Sequence, residues 1–213
     1  MITALTYLAD GISTTLAITF TSFAVGALLG IPLALGRRSQ LFWLRGPATA
    51  VVEILRAVPP LVWLFIAYYI VGSDLIPLSI FQAAVAGLGL IAAAYMCEIY
   101  RASLDAIPQG QWEAAGALAL PTVATYQRVV APQAALLVIP PASTYLISLL
   151  KDSAIASVIG ATDITFLAFQ DARVTLQGLT VFATAAVLYL LLSVPIAAVA
   201  RVSDRLVTRR LAR

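Results

Sequence analysis

The sequence predicts an all-α, polytopic membrane protein: five transmembrane helices, with a short helix in the loop between the third and fourth. Three observations carry that expectation. Of 213 residues, 62% are apolar and only 11% charged, against about 45–50% and about 25% in soluble domains. The mean hydropathy is +0.98, and water does not solvate that much hydrocarbon, so the natural solvent is a bilayer. Five runs approach the ~20 apolar residues that a crossing needs. The length suits one membrane domain over residues 1–213, with no room for a second, soluble catalytic domain.

The first run, about 14–35, ends at Gly36-Arg37-Arg38. The start, MITALTYLADGISTT, has no Lys or Arg before it, so the first span is expected to be a retained helix. The second, 51–71, contains Pro59-Pro60 and ends at Gly72-Ser73-Asp74. The third is 79–99, the fourth 129–150 with Pro140-Pro141 inside it, and the fifth 178–200. The single cysteine, Cys97, lies in an apolar run, so no intrachain disulfide can form.

A net charge of +3 would suggest nucleic acid as the partner of a soluble protein. Here the cations flank apolar spans and report topology within membrane lipid, so no nucleic acid is expected. With the N-terminus outside, the inner segments hold Arg37, Arg38, Arg45, Arg56, Arg101, Arg128, Arg201, Arg205, Arg209, Arg210 and Arg213, and the outer ones only Lys151 and Arg173. Eleven against two places the N-terminus outside and the C-terminus in the cytoplasm. The cytoplasmic loop 100–128 then holds good helix formers between Pro108-Gln109-Gly110 and Pro121. A helix over Gln111–Leu120 is expected, ended where Pro121 lacks a donor. Three turns rich in alanine are marginal in water, so this helix should rest on the membrane domain or in a partner's groove.

QWEAAGALALP followed by VVAPQA resembles the "EAA" loop of ATP-binding-cassette importer permeases, in particular those for histidine, glutamine, glutamate, arginine or opines. VEILRAVPPLVWLF, AAYMCEIYRASLDAIPQGQWEAA and PQAALLVIPPASTYLISLLKDSAIASVIG resemble the second span, third span and fourth span of that family, in order. ISTTLAITFTSFAVGALLGIPLAL resembles its first span more loosely. The resemblance implies a multi-pass protein of the bacterial inner membrane whose loop helix couples to a cytoplasmic ATPase dimer. Gln111, Glu113, Ala114, Ala115, Ala119, Leu120 and Pro121 fall in that coupling segment. The resemblance also implies a second permease copy or related chain, an external solute-binding protein and a polar amino acid as substrate. ATP and Mg would sit on the ATPase, with no cofactor in this chain. The chain departs from the family pattern at Ala119, where glycine is usual, at Ala131 for leucine, and at Thr144-Tyr145, where Asn and a polar or acidic residue are common.

Read as residues, Glu113 is either a solvated carboxylate near a helix N-terminus, favourable by about 0.3–1 kcal/mol, or a docking contact beside small alanines. Glu53 and Arg56 stand three apart, as do Glu98 and Arg101, and each pair reads as an interfacial ion pair. The two proline pairs either kink their helices or open backbone toward a cavity. Ser143, Thr144, Tyr145 and Ser148 follow the second pair and form a candidate substrate path. Lys151 at its outer end is available for a carboxylate. Asp152 or Ser153 can cap a helix over Ala154–Ile159, and Asp163 one over Ile164–Gln170. Span four between Pro141 and Leu150 holds no acid, so a neutral or acidic substrate is expected.

Two other classes compete. An ion-coupled secondary transporter usually carries paired repeats, and the chain has none. An intramembrane enzyme lacks support: there is no histidine base, no metal-ligand spacing, and a Ser148 or Ser153 dyad with Lys151 has nothing beside it. No G-x-x-x-x-G-K-[ST] run exists either, so nucleotide hydrolysis belongs on another subunit and the chain itself is not an enzyme.

Overall fold

A computed structural model describes residues 2–71 and 78–211. The helices are α1 (Ile2–Ala9), α2 (Ile12–Arg37), α3 (Phe42–Ala57), α4 (Pro60–Phe65), α5 (Ile80–Asp105), α6 (Gln109–Ala117), α7 (Thr122–Thr125), α8 (Ala131–Asp152), α9 (Ile164–Thr175) and α10 (Gly178–Leu211). π-helical turns extend α4 through Ile66–Val71 and join α7 to α8 through Tyr126–Val130. A 3₁₀ turn, Ser153–Ile159, extends α8. The expected stop at Gly72-Ser73-Asp74 lies outside the described residues.

Among the described residues four helical runs are long and apolar enough to cross a membrane: Ala4–Arg37, Ile80–Asp105, Thr122–Ile159 and Gly178–Arg205. The second expected span is instead a bent pair, α3 and α4, meeting at 104°. Pro59 forces the preceding Val58 into an extended conformation (φ −92°, ψ 134°), which ends α3, and Pro60 then starts α4 at a position where its missing N–H is not needed. The single span expected over 51–71 is therefore corrected to a bent pair, with the interruption expected at Pro59-Pro60 in place. The helical turn before it also begins earlier, at Phe42.

Pro140-Pro141 behave differently. α8 runs through them without a break, so the expected interruption of the fourth span is corrected as well. The Ser143 hydroxyl donates to the Ile139 carbonyl at 2.8 Å and Thr144 to the Pro140 carbonyl at 3.1 Å. These bonds brace the turn just after the prolines, where the helix has lost two of its own N–H donors.

α5 is the central helix, and α2 lies closest to it. A β-carbon on Gly26 would stand 2.3 Å from that of Ala92, and one on Gly30 would stand 2.9 Å from that of Met96. Gly89 meets Val25 from the other side at 3.0 Å. This small-residue seam brings the backbones together and gains dispersion contact, the main source of helix association where lipid is as apolar as leucine. α8 runs antiparallel on another face of α5. The Tyr145 ring stacks on Tyr95 with centroids 5.0 Å apart, and Gly160 faces the Ile80 side chain. Lys151 lies in the last turn of α8, ahead of the 3₁₀ turn Ser153–Ile159.

Replacing Gly26 with valine should unseat α2, since such overpacking costs about 1–3 kcal/mol or more when backbone must move. A β-carbon on Gly110 meets nothing within 4 Å, so Gly110→Ala serves as the control. Thermal unfolding of the detergent-purified protein should show a lower midpoint for Gly26→Val only. Equal midpoints for both would contradict the seam.

Candidate functional site

The expected loop helix is present but displaced. α6 covers Gln109–Ala117 with Pro108 as its N-cap, two residues earlier than the sequence suggests. It ends before Pro121 is reached. The Leu120 N–H donates to Ala115 O and the Ala119 N–H to Gly116 O, a Schellman closure with Ala119 at φ 51°. That is the left-handed region, which disfavours a side chain by roughly 1–2 kcal/mol. A glycine would relieve it, so the departure at Ala119 has a structural cost. Pro121 instead caps the start of α7.

α6 is fastened on one side. Gln133 Nε2 donates to Gln111 Oε1 at 3.1 Å, and the Trp112 ring meets Tyr126 edge-on at 5.3 Å. Ala115 is buried at 3% exposure. Glu113 and Ala114 face outward together with Gly116, Ala117 and Leu118, while Leu120 is half-buried. Leu118 is 73% exposed. The sequence reading missed it, although a bare leucine at the tip of a polar loop was a signal. Ala115, expected on the outer docking face, belongs to the seat of the helix.

The candidate path residues do not converge. Ser143 and Thr144 give their hydroxyl protons to their own helix. Tyr145 turns toward α5 and Ser148 is half-buried. Lys151 faces α10 in a cleft of about 460 Å³ with Ile147, Ala154, Ala186, Tyr189, Leu190 and Ser193. The caps expected next to it are not made. Asp152 makes no side-chain cap bond, and the Ser153 hydroxyl donates back to Leu150 O at 2.8 Å.

Charges gather at the Arg37 end of the bundle. Arg37 pairs with Glu98 and, at 3.4 Å, with Glu53; Arg38 pairs with Asp105; Arg101 reaches Glu98 and Asp105, each at 2.9 Å. The local pair Glu98–Arg101 therefore forms as expected. Glu53–Arg56 does not, because Arg37 takes Glu53, and the Arg56 guanidinium lies 5.6 Å from the Tyr95 ring centre.

At the opposite end Asp163 caps α9, as expected, accepting from the Phe166 N–H at 2.7 Å. Its other oxygen is buried without a partner. Burial pushes its carboxyl up to about 7, against the opposing pull of the backbone N–H groups of Phe166, Thr165 and Asp163 itself. The raised value makes the folded state hold a proton that the unfolded chain releases near pH 4. Stability from this site is then present below about pH 4 and is lost as pH rises to about 7. Asp163→Asn keeps a capping oxygen and should flatten that slope, a difference on the order of a few kcal/mol above pH 7. Thermal midpoints at pH 5.5 and 8 test this, and a variant with the wild-type slope would refute it.

Residues 26–209 match the family described as binding-protein-dependent transport system inner membrane component. The chain is 38% identical over 153 residues to the probable amino-acid ABC transporter permease protein YckA of Bacillus subtilis, covering 72% of this chain and 68% of that one. It is 36% identical to the L-cystine transport system permease protein TcyB of the same organism, over 97% and 88% of the two chains. Its fold superposes on the crystal structure of an amino acid ABC transporter with histidines at a TM-score of 0.90, with 29% identity and 96% of each chain covered. The MetNI methionine ABC transporter follows at 0.77 with 25% identity, covering 95% of each.

Proposed function

Because this chain belongs to the binding-protein-dependent transport system inner membrane components, the permease subunits of ABC importers, we propose that it passes a polar amino acid across the membrane and takes its drive from an ATPase seated on α6. As a multi-pass inner-membrane subunit of that family it hydrolyses no ATP; hydrolysis resides on the partner. The substrate class is supported by the names of the relatives, which include carriers of cystine, of glutamate and aspartate, and of octopine.

The observation that carries the coupling reading is the two-sidedness of α6. Its inner side is bound to the base of α8 through Gln111–Gln133 and Trp112–Tyr126. Its outer side offers Glu113, three small residues and the bare Leu118. A groove that grips that outer side moves α6, and the two inner contacts carry the movement to α8 and so to Tyr145. Leu118 is the apolar anchor of the grip and Glu113 its polar register. Ala119, Leu120 and Pro121 set the exit angle.

The N-terminus lies outside, which puts α6 in the cytoplasm with the ATPase dimer and Asp163 on the side of the binding protein. A second copy or related chain completes the path. The expectation of a neutral or acidic substrate needs one change: Asp152, at the end of α8 and making no cap bond, adds a carboxylate next to Lys151. The two charges together suit a zwitterion.

Leu118→Asp should lower transport-coupled ATP hydrolysis by tenfold or more while the protein still inserts and folds. Glu113→Arg should do so less severely. Hydrolysis measured on the reconstituted complex decides this, and wild-type coupling in both variants would remove α6 from the drive.

A further inference from the structure

Arg56 ends α3 next to the 104° break and is exposed in the single chain. Two carboxylates are within its reach in principle: Glu53, one turn back on its own helix, and Glu98 on α5. Neither is paired with it. Arg37 holds both, and Arg101 holds Glu98 a second time. The Arg56 guanidinium instead turns one helical turn along α5 away from that charged belt and lies 5.6 Å from the centre of the Tyr95 ring. Behind Tyr95 stacks Tyr145, at 5.0 Å and 21°. A cation–aromatic contact contributes about 0.5–2 kcal/mol, less than a guanidinium needs to leave water within an apolar layer. The group forms no salt bridge with either carboxylate, although Glu98 lies close enough to feel its charge.

One helical turn along from the tyrosine pair, between α5 and α8, lies a cleft of about 430 Å³ lined by Glu98, Ile99, Ala102, Ser103, Leu137 and Pro141 among others. Glu98 and Ile99 are one turn from Tyr95, and Pro141 is one turn from Tyr145. That volume is in the range of small-ligand sites, and its one carboxylate is already bound by two arginines.

We propose that Arg56 binds the carboxylate of the transported amino acid beside the Tyr95–Tyr145 pair, one turn from the cleft between α5 and α8; this rests on the permease reading above. The guanidinium presents a fork that matches a carboxylate with two parallel hydrogen bonds. Its place over the Tyr95 ring, 5.6 Å from the centre, limits where the fork can go before the ligand arrives. The cleft takes the rest of the molecule. A lysine at this position would keep the charge and lose the fork.

The test uses the complex of this chain with its ATPase in lipid nanodiscs, without the binding protein, which recognises carboxylates in its own right. Equilibrium binding is measured for glutamine, glutamate, arginine and cystine, and for the methyl ester of whichever binds. The acid should bind at least tenfold more tightly than its ester. Arg56→Gln should weaken the acid by tenfold or more and leave the ester unchanged, with Arg56→Lys between. Wild-type affinity for the acid in Arg56→Gln overturns the proposal, as does an equal loss for acid and ester, which would mark a packing role. Loss of the permease pair by size-exclusion chromatography in Arg56→Gln would also overturn it, assigning the charge to the partner copy. Uptake is read in parallel in proteoliposomes with the binding protein outside: ATP-driven uptake by a wild-type complex that binds no amino acid in nanodiscs would sink this site and leave the permease reading intact. Absence of uptake altogether would sink the latter.

Discussion

The close approach of α2 to α5 is the constraint from which the remaining geometry follows. Gly26 and Gly30, four apart on one face of α2, meet Ala92, Ala93 and Met96 with no space for a side chain between them. Association inside lipid gains nothing from excluding water, so it depends on contact that only small residues permit. Once the backbones are that close, Arg37 at the end of α2 comes beside Glu98 of α5, and Arg38 beside Asp105. Arg37 then captures Glu53 and draws the end of α3 against the pair. Arg56 loses its nearest carboxylate and turns to Tyr95. A packing seam near the middle of the bundle thus decides which cation at its end is left unpaired.

The two proline pairs show how context rules the same dipeptide. At Val58-Pro59-Pro60 the chain turns through 104°, because α3 has its own anchor in the Arg37–Glu53 pair and the next turn can start afresh on Pro60. At Pro140-Pro141 the helix continues, held between the α6 contacts at its base and the Tyr95–Tyr145 stack above. Ser143 and Thr144 spend their hydroxyl protons there, which withdraws them from the set of groups free to donate to a substrate.

Local features were legible in the sequence. The apolar runs, the Asp163 cap and the Glu98–Arg101 pair each depend on residues within a few positions of one another. The short helix was legible too, but its limits were not, since its end is set by the left-handed Ala119 and not by the visible Pro121. Features that depend on distant residues stayed hidden. Nothing near Glu53 announces that Arg37, sixteen residues earlier, will take it. Glycines four apart on α2 were present in the string GALLG, yet their meaning appears only when α5 lies across them.

On the proposed reading the bundle is passive and opens only when an ATPase closes on α6. Uptake of labelled amino acid into proteoliposomes holding the chain with its ATPase, with the binding protein outside, tests that most directly. Accumulation should require ATP on the side opposite the binding protein and should vanish when the ATPase is left out. Accumulation driven by an ion gradient without ATP, or in the absence of the ATPase, would contradict it.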